Sequence, residues 1–347
     1  MKRQRVSMRD IARAADLSVS AVSLVVRGRP GIAAETRARV LQIIEDLGYQ
    51  GGGGDDLARP PAIGLLIERG SVPMAMDLFY GEVLRGVQDT AERLGYQIVF
   101  ESFDRADQSM ERVRERLLVG VRGLLIVNDG DITPAMVGQL EDLNIPMVLI
   151  ENYLPDHRLM CVGGDNVTAG YMAVQHLVQL GHRRIAILRG PAKYSSLTDR
   201  LRGGMAAAAE AGVLIPAALL PAPKAGHPKK GYEQMREILR LPELPTAIFA
   251  VSDKTAYGAI EAIKEAGLRI PDQIAIVSID DVAESAFTRP ALTTVHIPRY
   301  EIGQLALQKL HHLMHHPADI PVKSLVYGSL IVRDSCGARS HTPASSE

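Results

Sequence analysis

Short runs of Val, Ile, Leu and other apolar residues alternate with amphipathic stretches over most of this 347-residue chain. The runs suit buried strands, and the stretches between them have the 3.6-residue period of helices. Strands and helices that alternate in this way form parallel sheets covered by helices on both faces. The predicted strands are 63–67, 97–100, 123–127, 147–150, 185–188, 247–251 and 274–279, and the predicted helices include 81–94, 168–180, 201–211 and 255–266. Because this region is too long for one sheet, we predict an α/β fold with two doubly wound parallel-sheet lobes and a ligand cleft between them.

Four glycines at positions 51–54, followed by Asp55 and Asp56, interrupt regular structure near the amino terminus. Each glycine costs a helix about 1 kcal/mol relative to alanine, so this segment is predicted to be flexible. The sequence therefore divides into a small domain, a glycine-rich hinge or linker, a two-lobed effector-binding region and a small, polar tail predicted to be disordered. Their bounds are 1–50, 51–61, 62–334 and 335–347.

The charge of the chain is divided unequally between these regions. Lys and Arg number 39 against 40 Asp and Glu, which gives a net charge of −1. Residues 1–50 contain nine basic and five acidic side chains, a net charge of +4, so the remainder carries −5. A small basic domain on an acidic body indicates contact with a polyanion, although a solvated basic terminus has the same composition.

Other features of the sequence exclude several classes of protein. No window approaches 18 consecutive apolar residues, and polar residues stand where a secretion signal needs an apolar stretch. Two cysteines, Cys161 and Cys336, are too few for a disulfide framework or a cysteine-rich zinc site. No phosphate-loop, dinucleotide-binding, nucleophile-elbow or zinc-protease motif is present, so we expect neither enzyme activity nor a cofactor. We expect a cytoplasmic protein, associated with the nucleoid and without a membrane partner.

Two histidine pairs at i and i+4 have a spacing that can bind a metal ion. They are His311 with His315 and His312 with His316, on a predicted helix. The sequence shows no acidic or cysteine partner beside them. An exposed helix face is therefore the preferred interpretation, and no metal site is predicted.

The first 50 residues have the pattern of a helix-turn-helix domain. Ser7 opens a Ser-x-x-Asp signal for a helix start, and an apolar helical face follows it. The pattern breaks at 16–17, where Ser18 can cap a second helix over 19–26, and a third amphipathic helix is predicted at 33–47. In a helix-turn-helix the second helix enters the major groove of DNA; a three-helix bundle that binds a protein has the same pattern.

Four stretches of this domain distinguish the two interpretations. They are Met-Arg-Asp-Ile-Ala-Arg-Ala-Ala at 8–15, Leu-Ser-Val-Ser-Ala-Val-Ser-Leu-Val-Val at 17–26, Glu-Thr-Arg-Ala-Arg-Val at 35–40 and Leu-Gly-Tyr at 47–49. They closely resemble the headpiece of the LacI family of bacterial transcription regulators, which implies binding to double-stranded operator DNA. By position, the resemblance implies base contacts from Val19, Ser20 and Leu24. It implies further DNA contacts, chiefly with phosphates, from Ser7, Arg9, Ser18, Ser23, Arg27 and Thr36.

The sequence departs from the family pattern at two positions of this domain. Asp16 stands where the turn usually has Gly, and Leu24 stands where Arg is often found. Arg reads guanine through two hydrogen bonds, whereas Leu24 offers only an apolar contact, for example to a thymine methyl group. We therefore predict an operator that differs from the family's common one at that base step.

The linker departs further from the family pattern. By resemblance, this segment forms a hinge helix on DNA, from which a leucine wedges into the minor groove. Leu57 is the candidate here, but it lies one position early relative to Tyr49, glycines occupy 51–54, and Asp55 and Asp56 would face phosphates. We predict a weak or absent hinge helix and little kinking of the operator.

Five stretches of the long region carry a second resemblance. They are Gly-Glu-Val-Leu-Arg-Gly-Val at 81–87, Gly-His-Arg-Arg-Ile-Ala at 181–186, Asp-Arg-Leu-Arg-Gly at 199–203, Pro-Thr-Ala-Ile-Phe-Ala at 245–250 and Pro-Ala-Leu-Thr-Thr-Val at 290–295. They are similar to the periplasmic-binding-protein-like effector domain of the same family. The resemblance implies that a small molecule, a sugar or a sugar derivative, binds in the cleft between the lobes.

By position, several side chains are candidates to bind this ligand. Phe79 and Tyr80 form the sole adjacent aromatic pair in a chain with no Trp, and they lie where family members stack a ring; a core aromatic is the alternative. Arg200 matches an arginine that binds ligand oxygens, and Asp280 matches a carboxylate that accepts from ligand donors. The adjacent Asp281 is expected to be structural. The remaining candidates are Glu151, Arg202 and Ser252, the last of which stands where the family often has Asn.

A basic segment stands where a cleft aromatic is commonly found, near residue 226. It contains Lys224, His227, Lys229 and Lys230. These residues raise the hypothesis of an anionic effector, such as a sugar phosphate or a sugar acid. Solvated loop lysines are the simpler interpretation.

The resemblance implies a two-state regulator. One short recognition helix reads too few bases alone, so we expect a homodimer, or a tetramer, on a pseudo-palindromic operator. By resemblance, dimer contacts come from the helix at 81–94 and from the region 255–290. A ligand that changes the angle between the lobes needs a coupling of only about 1–3 kcal/mol to control DNA binding. The alternatives are a solute-binding or chemosensory receptor without DNA function, which the basic domain disfavours, and an enzyme, which the missing catalytic constellation disfavours.

Overall fold

The computed structural model describes residues 8–26, 32–47, 60–68, 79–103, 110–117, 120–128, 132–151, 153–154, 157–222, 230–317 and 319–338. The chain divides into two compact units, one up to Pro60 and one from Pro61 onward. This division lies within the segment predicted as a linker. Positions 51–59 of that segment lie outside the described residues.

The amino-terminal unit consists of three helices around a small apolar core. They are α1 (Met8–Ala15), α2 (Val19–Val26) and α3 (Ala34–Asp46). Each helix contributes one fully buried side chain, Ile11, Val22 and Val40 respectively. Ala12 and Ala15 are also buried in this cluster, where small side chains allow close approach of the helices. The predicted helix-turn-helix is confirmed.

The second unit alternates strands and helices from its start. Its strands are β1 (Ala62–Glu68), β2 (Gln97–Phe103), β3 (Val121–Asn128), β4 (Met147–Glu151), β5 (Met160–Gly164), β6 (Ile185–Leu188), β7 (Ala247–Ala250), β8 (Ala275–Asp280), β9 (Thr293–His296), β10 (Lys323–Val326) and β11 (Ser329–Ile331). Its helices are α4 (Tyr80–Leu94), α5 (Glu111–Leu117), α6 (Pro134–Glu141), α7 (Asn166–Gln179), α8 (Ser195–Glu210), α9 (Lys230–Ile238), α10 (Asp253–Glu265) and α11 (Arg299–His315). Short 3-10 turns lie at Ala217–Leu219 and Ala283–Ala286.

The strands form two sheets. The first has the order β10-β5-β4-β3-β1-β2 and is parallel throughout. The second has the order β11-β9-β8-β7-β6 and is parallel except for β11, which runs antiparallel to β9. We call the first sheet with α4, α5, α6 and α11 lobe 1, and the second sheet with α7, α8, α9 and α10 lobe 2.

Helices cover both faces of each sheet. In lobe 1, Leu125 of β3 packs in the cluster that contains residues of α4 and α11, whereas its neighbour Leu124 packs with residues of α5 and α6. In lobe 2, Phe249 of β7 packs with α7, whereas Ile248 packs with α9 and α10. Neighbouring residues of one strand are thus buried on opposite faces, as the continuous apolar runs predict. The prediction of two doubly wound lobes is confirmed.

The chain crosses between the lobes three times. The crossings are 164–166 between β5 and α7, 296–299 between β9 and α11, and 326–329 between β10 and β11. As a result, α11 packs against β3, β4 and β5 of lobe 1 although all of lobe 2 except β11 separates it from them in sequence. The crossings bring residues of both lobes to the same place.

The prediction for the carboxyl-terminal tail is wrong at its start. Ser335 is fully buried, donates from its hydroxyl to the carbonyl of Ile276 at 2.7 Å and accepts from the amide of Thr293 at 2.9 Å. Cys336 is buried as well. Small polar residues suggested a tail, but here they satisfy backbone groups of lobe 2. Ordered structure continues to 338, and 339–347 lie outside the described residues.

Both cysteines are buried free thiols. Among the helices in the described part of the chain, none is long and apolar enough to span a membrane.

Candidate functional site

The second helix of the amino-terminal unit begins with an exposed capping residue. The Ser18 hydroxyl accepts from the amide of Ala21 at 3.1 Å, which caps α2 as its position predicts. Val19 follows and is 43% exposed, although it is apolar. Leu24 is half-buried one turn further on, and Thr36 of α3 is also half-buried. In a helix-turn-helix the first residues of the second helix enter the major groove of DNA, so the base contact of Val19 stays a prediction.

Several predicted DNA contacts are not among the described side chains. Arg9, Ser20 and Ser23 lie on described helical backbone, but their side chains are not described. Ser7, Arg27 and Leu57 lie outside the described residues altogether.

The turn between α1 and α2 contains a backbone conformation that favours glycine. Asp16, at the position where the family usually has Gly, has φ 53°. An L-residue pays a steric penalty there, which Asp tolerates better than most. Arg39 of α3 supports the same turn, because its Nη2 donates to the carbonyl of Ala15 at 3.1 Å.

Arg200 is the centre of a buried polar cluster in lobe 2. It lies on α8 and is 3% exposed. Its Nε donates to Oδ1 of Asn166 at 2.7 Å, and its Nη1 donates to Oδ1 of Asp280 at 2.8 Å and to the carbonyl of Val251 at 2.9 Å. The guanidinium therefore joins α7, β7 and β8 at the carboxyl ends of the strands.

Asp253 forms a second buried carboxylate next to this cluster. It is fully buried at the start of α10 and accepts from the hydroxyls of Ser278, Ser285 and Thr294 and from the amide of Val282. Burial, with the nearby charge of Asp280, raises the pKa of Asp253 to about 6, although the hydroxyl donors act to lower it. This carboxylate ties the loop after β8 to α10.

Glu151 faces these groups from lobe 1. It ends β4 with φ 73° and is 5% exposed. Burial raises its pKa to about 7; the charge of Asp280 adds to this, and the charges of Arg200 and Arg299 oppose it. Its Oε1 is buried and has no hydrogen-bond partner among the described residues.

Arg299 begins α11 directly after a crossing between the lobes. It is 7% exposed, and its Nη2 donates to the carbonyl of Asp281 at 2.9 Å. Its Cζ lies 5.7 Å from the ring centroid of Phe79, and Phe79 packs edge-on against Tyr80 with the ring centroids 5.1 Å apart. Within the described part of the chain, its Nε and Nη1 are buried without a hydrogen-bond partner.

Asp281 holds the loop after β8 to neighbouring strands. Its carboxylate contacts Nδ1 of His296 at 3.0 Å and accepts from Nη2 of Arg333 at 2.6 Å. Although burial acts to raise it, these two partners hold the pKa of Asp281 below its usual value. The structural role expected for Asp281 fits these contacts.

Two predicted ligand residues do not join the cluster around Arg200. Arg202 is exposed and pairs with Asp199 at 3.1 Å. Ser252 caps α10, because its hydroxyl accepts from the amide of Thr255 at 3.3 Å. The structure thus brings together Phe79, Tyr80, Glu151, Arg200 and Asp280, and gives Arg202 and Ser252 contacts of their own.

A separate contact connects the lobes near Arg202. The amide of Tyr153, in the connection between β4 and β5, donates to the Ser195 hydroxyl of α8 at 3.1 Å, and the Tyr153 hydroxyl donates to Asp199 at 3.3 Å. Nζ of Lys323 lies 3.2 Å from the centroid of the Tyr153 ring. Tyr153 therefore bridges lobe 1 and lobe 2.

The histidines of α11 have partners that the sequence did not reveal. Nε2 of His312 lies 2.6 Å from a carboxylate oxygen of Asp319. The prediction that no acidic residue lies beside these histidines is therefore wrong. Nδ1 of His311 lies 2.7 Å from the Tyr96 hydroxyl. No group of three or more His, Cys, Asp or Glu in the described segments is arranged to hold a metal ion.

Sequence reasoning missed three buried polar residues of the cleft: Asn166, Asp253 and Arg299. Asn166 and Asp253 each stand at a helix start directly after a strand, where polar side chains meet at the edge of a parallel sheet, so their position was a usable signal. Arg299 gave none, because its place depends on the second passage of the chain between the lobes. The basic candidates Lys224, His227 and Lys229 lie outside the described residues, as does the side chain of Lys230.

Comparisons with known proteins agree on both units. A model of bacterial regulatory proteins of the lacI family matches residues 7–51, and a periplasmic binding protein-like domain matches residues 174–336. Catabolite control protein A of Priestia megaterium is 30% identical over 318 residues, which cover 89% of this chain and 92% of that protein.

Solved structures of similar fold cover nearly the whole chain. A complex of the transcriptional regulator CelR with cellobiose has a TM-score of 0.72 and 26% identity, and covers 95% of this chain and 100% of that one. The lac repressor dimer bound to operator and the anti-inducer ONPF has a TM-score of 0.70 at 24% identity, with coverage of 96% and 99%, a likeness of fold.

Proposed function

The chain belongs to the LacI family of bacterial regulatory proteins, and on that premise we propose that it represses transcription from a pseudo-palindromic operator under the control of a small polyhydroxylated molecule bound between its lobes. It is a DNA-binding transcriptional regulator, and the curated relatives it matches are regulators, not enzymes. The proposal includes a cytoplasmic location, where operator DNA is found.

The convergence of buried polar side chains from two lobes carries the ligand part of this proposal. Arg200 and Asp280 come from lobe 2, and Glu151 and Arg299 come from lobe 1. A ligand that contacts both pairs binds one angle between the lobes better than another, and this preference is what couples binding to a change of shape. Phe79 supplies an apolar ring beside the polar groups, an arrangement suited to a sugar.

The charges of the cleft favour a neutral ligand over the anionic alternative. Asp280 lies 2.8 Å from Arg200 and offsets its charge. Glu151 adds a second carboxyl, whose negative form repels anions. The complex of a similar regulator with cellobiose also supports a carbohydrate. We therefore assign the cleft a neutral sugar or sugar derivative.

For DNA we propose the contacts that the family resemblance implies. Val19, Ser20 and Leu24 of α2 would read base edges, and phosphate contacts would come from the serines and arginines around α1 and α2 and from Thr36. A homodimer would place two such helices on the two halves of the operator. The dimeric lac repressor of similar fold, solved on its operator, supports this assembly.

A mobility-shift assay with DNA from upstream of the organism's own genes tests the proposal. We expect a specific shift that weakens steeply as salt rises, because Lys and Arg contacts release counterions from phosphates. A neutral sugar should change the shift. No shift at low salt would remove the regulator proposal, and a solute receptor without DNA function would then take its place.

The operator itself tests the assignment of Leu24. Selection from a random DNA pool should give a different consensus for wild type and for Leu24→Arg, with guanine favoured by the variant at one step. The same consensus for both proteins would refute it. A circular-permutation gel should show little bending at the operator centre if the hinge around Leu57 is weak; strong bending would contradict that prediction.

A further inference from the structure

Two buried arginines of the cleft differ in how many of their hydrogen bonds the protein supplies. Arg200 uses Nε and Nη1 in three hydrogen bonds to Asn166, Asp280 and the Val251 carbonyl. Arg299 uses only Nη2, and its Nε and Nη1 are buried without a partner among the described residues. Buried N–H groups of a cation are rarely left without an acceptor, because the loss of water is then uncompensated.

A matching acceptor lies on the same lobe. Oε1 of Glu151 is buried and also lacks a hydrogen-bond partner in the described part of the chain. Arg299 is close enough for its charge to act on the pKa of Glu151, yet the two side chains form no direct ion pair. Both residues are more than nine-tenths buried. Between them the site thus has unsatisfied donors, an unsatisfied acceptor and no protein group that pairs them.

We propose that Glu151 and Arg299 together bind one hydroxyl group of the effector, and that Arg299 is the residue that determines which effector is accepted. The hydroxyl donates its proton to Oε1 of Glu151 and accepts from an unpaired N–H of Arg299. This inference rests on the proposed function of the cleft. It adds Arg299 of lobe 1 to the groups that recognise ligand oxygens, beside Arg200 of lobe 2.

The unbonded acceptor on Glu151 and the unbonded donors on Arg299 together determine which chemical groups of a ligand can bind there. A hydroxyl both donates and accepts, so it satisfies Glu151 and Arg299 together. An ionised carboxylate or phosphate has no proton to donate to Oε1 of Glu151, and above the pKa of Glu151 it is also repelled by the negative charge of that side chain. The ring of Phe79, on which the Arg299 guanidinium lies, can pack against the C–H face of a sugar. The effector class is therefore a neutral polyol such as an aldose or a disaccharide, rather than a sugar acid.

Calorimetry on the full chain tests this with a panel of neutral aldoses and disaccharides, ribose and cellobiose included, and the matching aldonic acids. Arg299→Met should weaken binding of the neutral sugar by about 10- to 100-fold, the loss expected for a buried hydrogen bond to a charged group. Arg333→Lys is the matched control, because Arg333 contacts the same Asp281 from outside the pair. It should leave affinity within about two-fold.

Glu151→Gln gives an independent variant that needs no change at Arg299. Loss of the negative charge should reduce the ratio of the affinity for a neutral sugar to the affinity for its acid by about 10-fold. Operator binding without sugar, measured by mobility shift, should be unchanged in all three variants and shows that each is folded.

Three results would overturn the proposal. They are wild-type binding of aldonic acids in preference to neutral sugars, unchanged affinity in both Arg299→Met and Glu151→Gln, and no binding of any neutral member of the panel. In each case an intact operator shift leaves the proposed regulator function standing. Loss of the shift in the wild type would instead count against that function.

Discussion

The two lobes share one architecture but treat their buried polar groups differently. In lobe 2, Arg200, Asp253 and Asp280 are tied to each other or to neighbouring hydroxyls and backbone groups. In lobe 1, Glu151 and Arg299 are as deeply buried but keep atoms without a hydrogen-bond partner among the described residues. At the cleft, the buried polar groups of lobe 2 are bonded within the protein, whereas those of lobe 1 keep atoms that a ligand can bond.

Close packing of α7 against α8 holds Arg200 of lobe 2 in place. A Cβ added to Gly170 of α7 would collide with the carbonyl of Arg200 on α8, and one added to Gly203 would collide with the carbonyl of Val167. The two helices therefore approach at backbone distance, which fixes Arg200 before any ligand arrives. A side chain that is already fixed in the free protein, such as Arg200, orients the ligand. Side chains with unbonded atoms, such as Glu151 and Arg299, form new hydrogen bonds when the ligand binds.

The largest expected effect comes from breaking the buried polar cluster of lobe 2. Asp253→Ala should lower the free energy of unfolding by about 3–5 kcal/mol, because it leaves three hydroxyls and one amide without their buried acceptor. Urea denaturation measures the change. Asp272→Ala is the control, since its pair with Arg269 is exposed and should contribute less than about 1 kcal/mol. Equal effects in the two variants would show that lobe 2 does not depend on this cluster.

The second prediction concerns the pH dependence that lobe 1 contributes. The pKa of Glu151 is raised from 4.5 to about 7, so the folded state holds this proton more tightly than the unfolded state. Stability from this group is therefore fully present below pH 4.5 and is lost as pH rises through 7. The charged groups that act on it are Arg200 on α8, Asp280 on β8 and Arg299 on α11, and a hydrogen bond from the backbone of Gly164 lowers its pKa.

Removal of the charge should abolish this component. The unfolding free energy of wild type minus that of Glu151→Gln should fall by about 3 kcal/mol between pH 4.5 and 8. Chemical denaturation of both proteins across this range measures it. Parallel curves would mean that the pKa of Glu151 is not raised in the folded protein. The difference between the buried polar groups of the two lobes would then lose its main support in lobe 1.

The smallest effect is expected where the lobes meet at Tyr153. Tyr153→Phe removes the hydroxyl bonded to Asp199 and should lower stability by about 1 kcal/mol. It should also shift the sugar concentration that changes operator binding, because the contact joins the two lobes. Tyr171→Phe removes a similar bond to Glu210 within lobe 2 and should leave the sugar response in place. Identical responses would rule out a role for Tyr153 in coupling.

The sequence predicted the lobes well because their strands are continuous apolar runs. All seven predicted strands occur, and the helices between them lie where the pattern placed them. It missed β5, whose Met-Cys-Val-Gly-Gly has weak strand propensity, the four-residue β9, and the edge strands β10 and β11. The sequence of an edge strand is constrained on one side only, so its pattern is less marked.

The candidate site was predictable where a residue's role is local or carried by a family motif. Arg200 lies in a recognisable stretch and Asp280 directly follows a predicted strand, and both lie in the cleft cluster. Arg202 lies in the same stretch as Arg200, and Ser252 follows another, but their contacts are set by Asp199 and by the start of α10. Arg299 could not be inferred, because only the folded chain brings the start of α11 beside Glu151 on β4.

The position of α11 also has a consequence for the order in which the protein is made. Lobe 1 is discontinuous in sequence, and one face of its sheet is covered by a helix that the ribosome delivers only after all the strands of lobe 2 except β11. Until residue 315 has emerged, Leu125, Val127 and Ile150 lack part of their cover, and an apolar sheet face of that kind invites aggregation. Lobe 2 has its helices and all but one of its strands earlier, so the nascent chain passes through a stage in which the second lobe is nearly complete and the first is still waiting for its last helix.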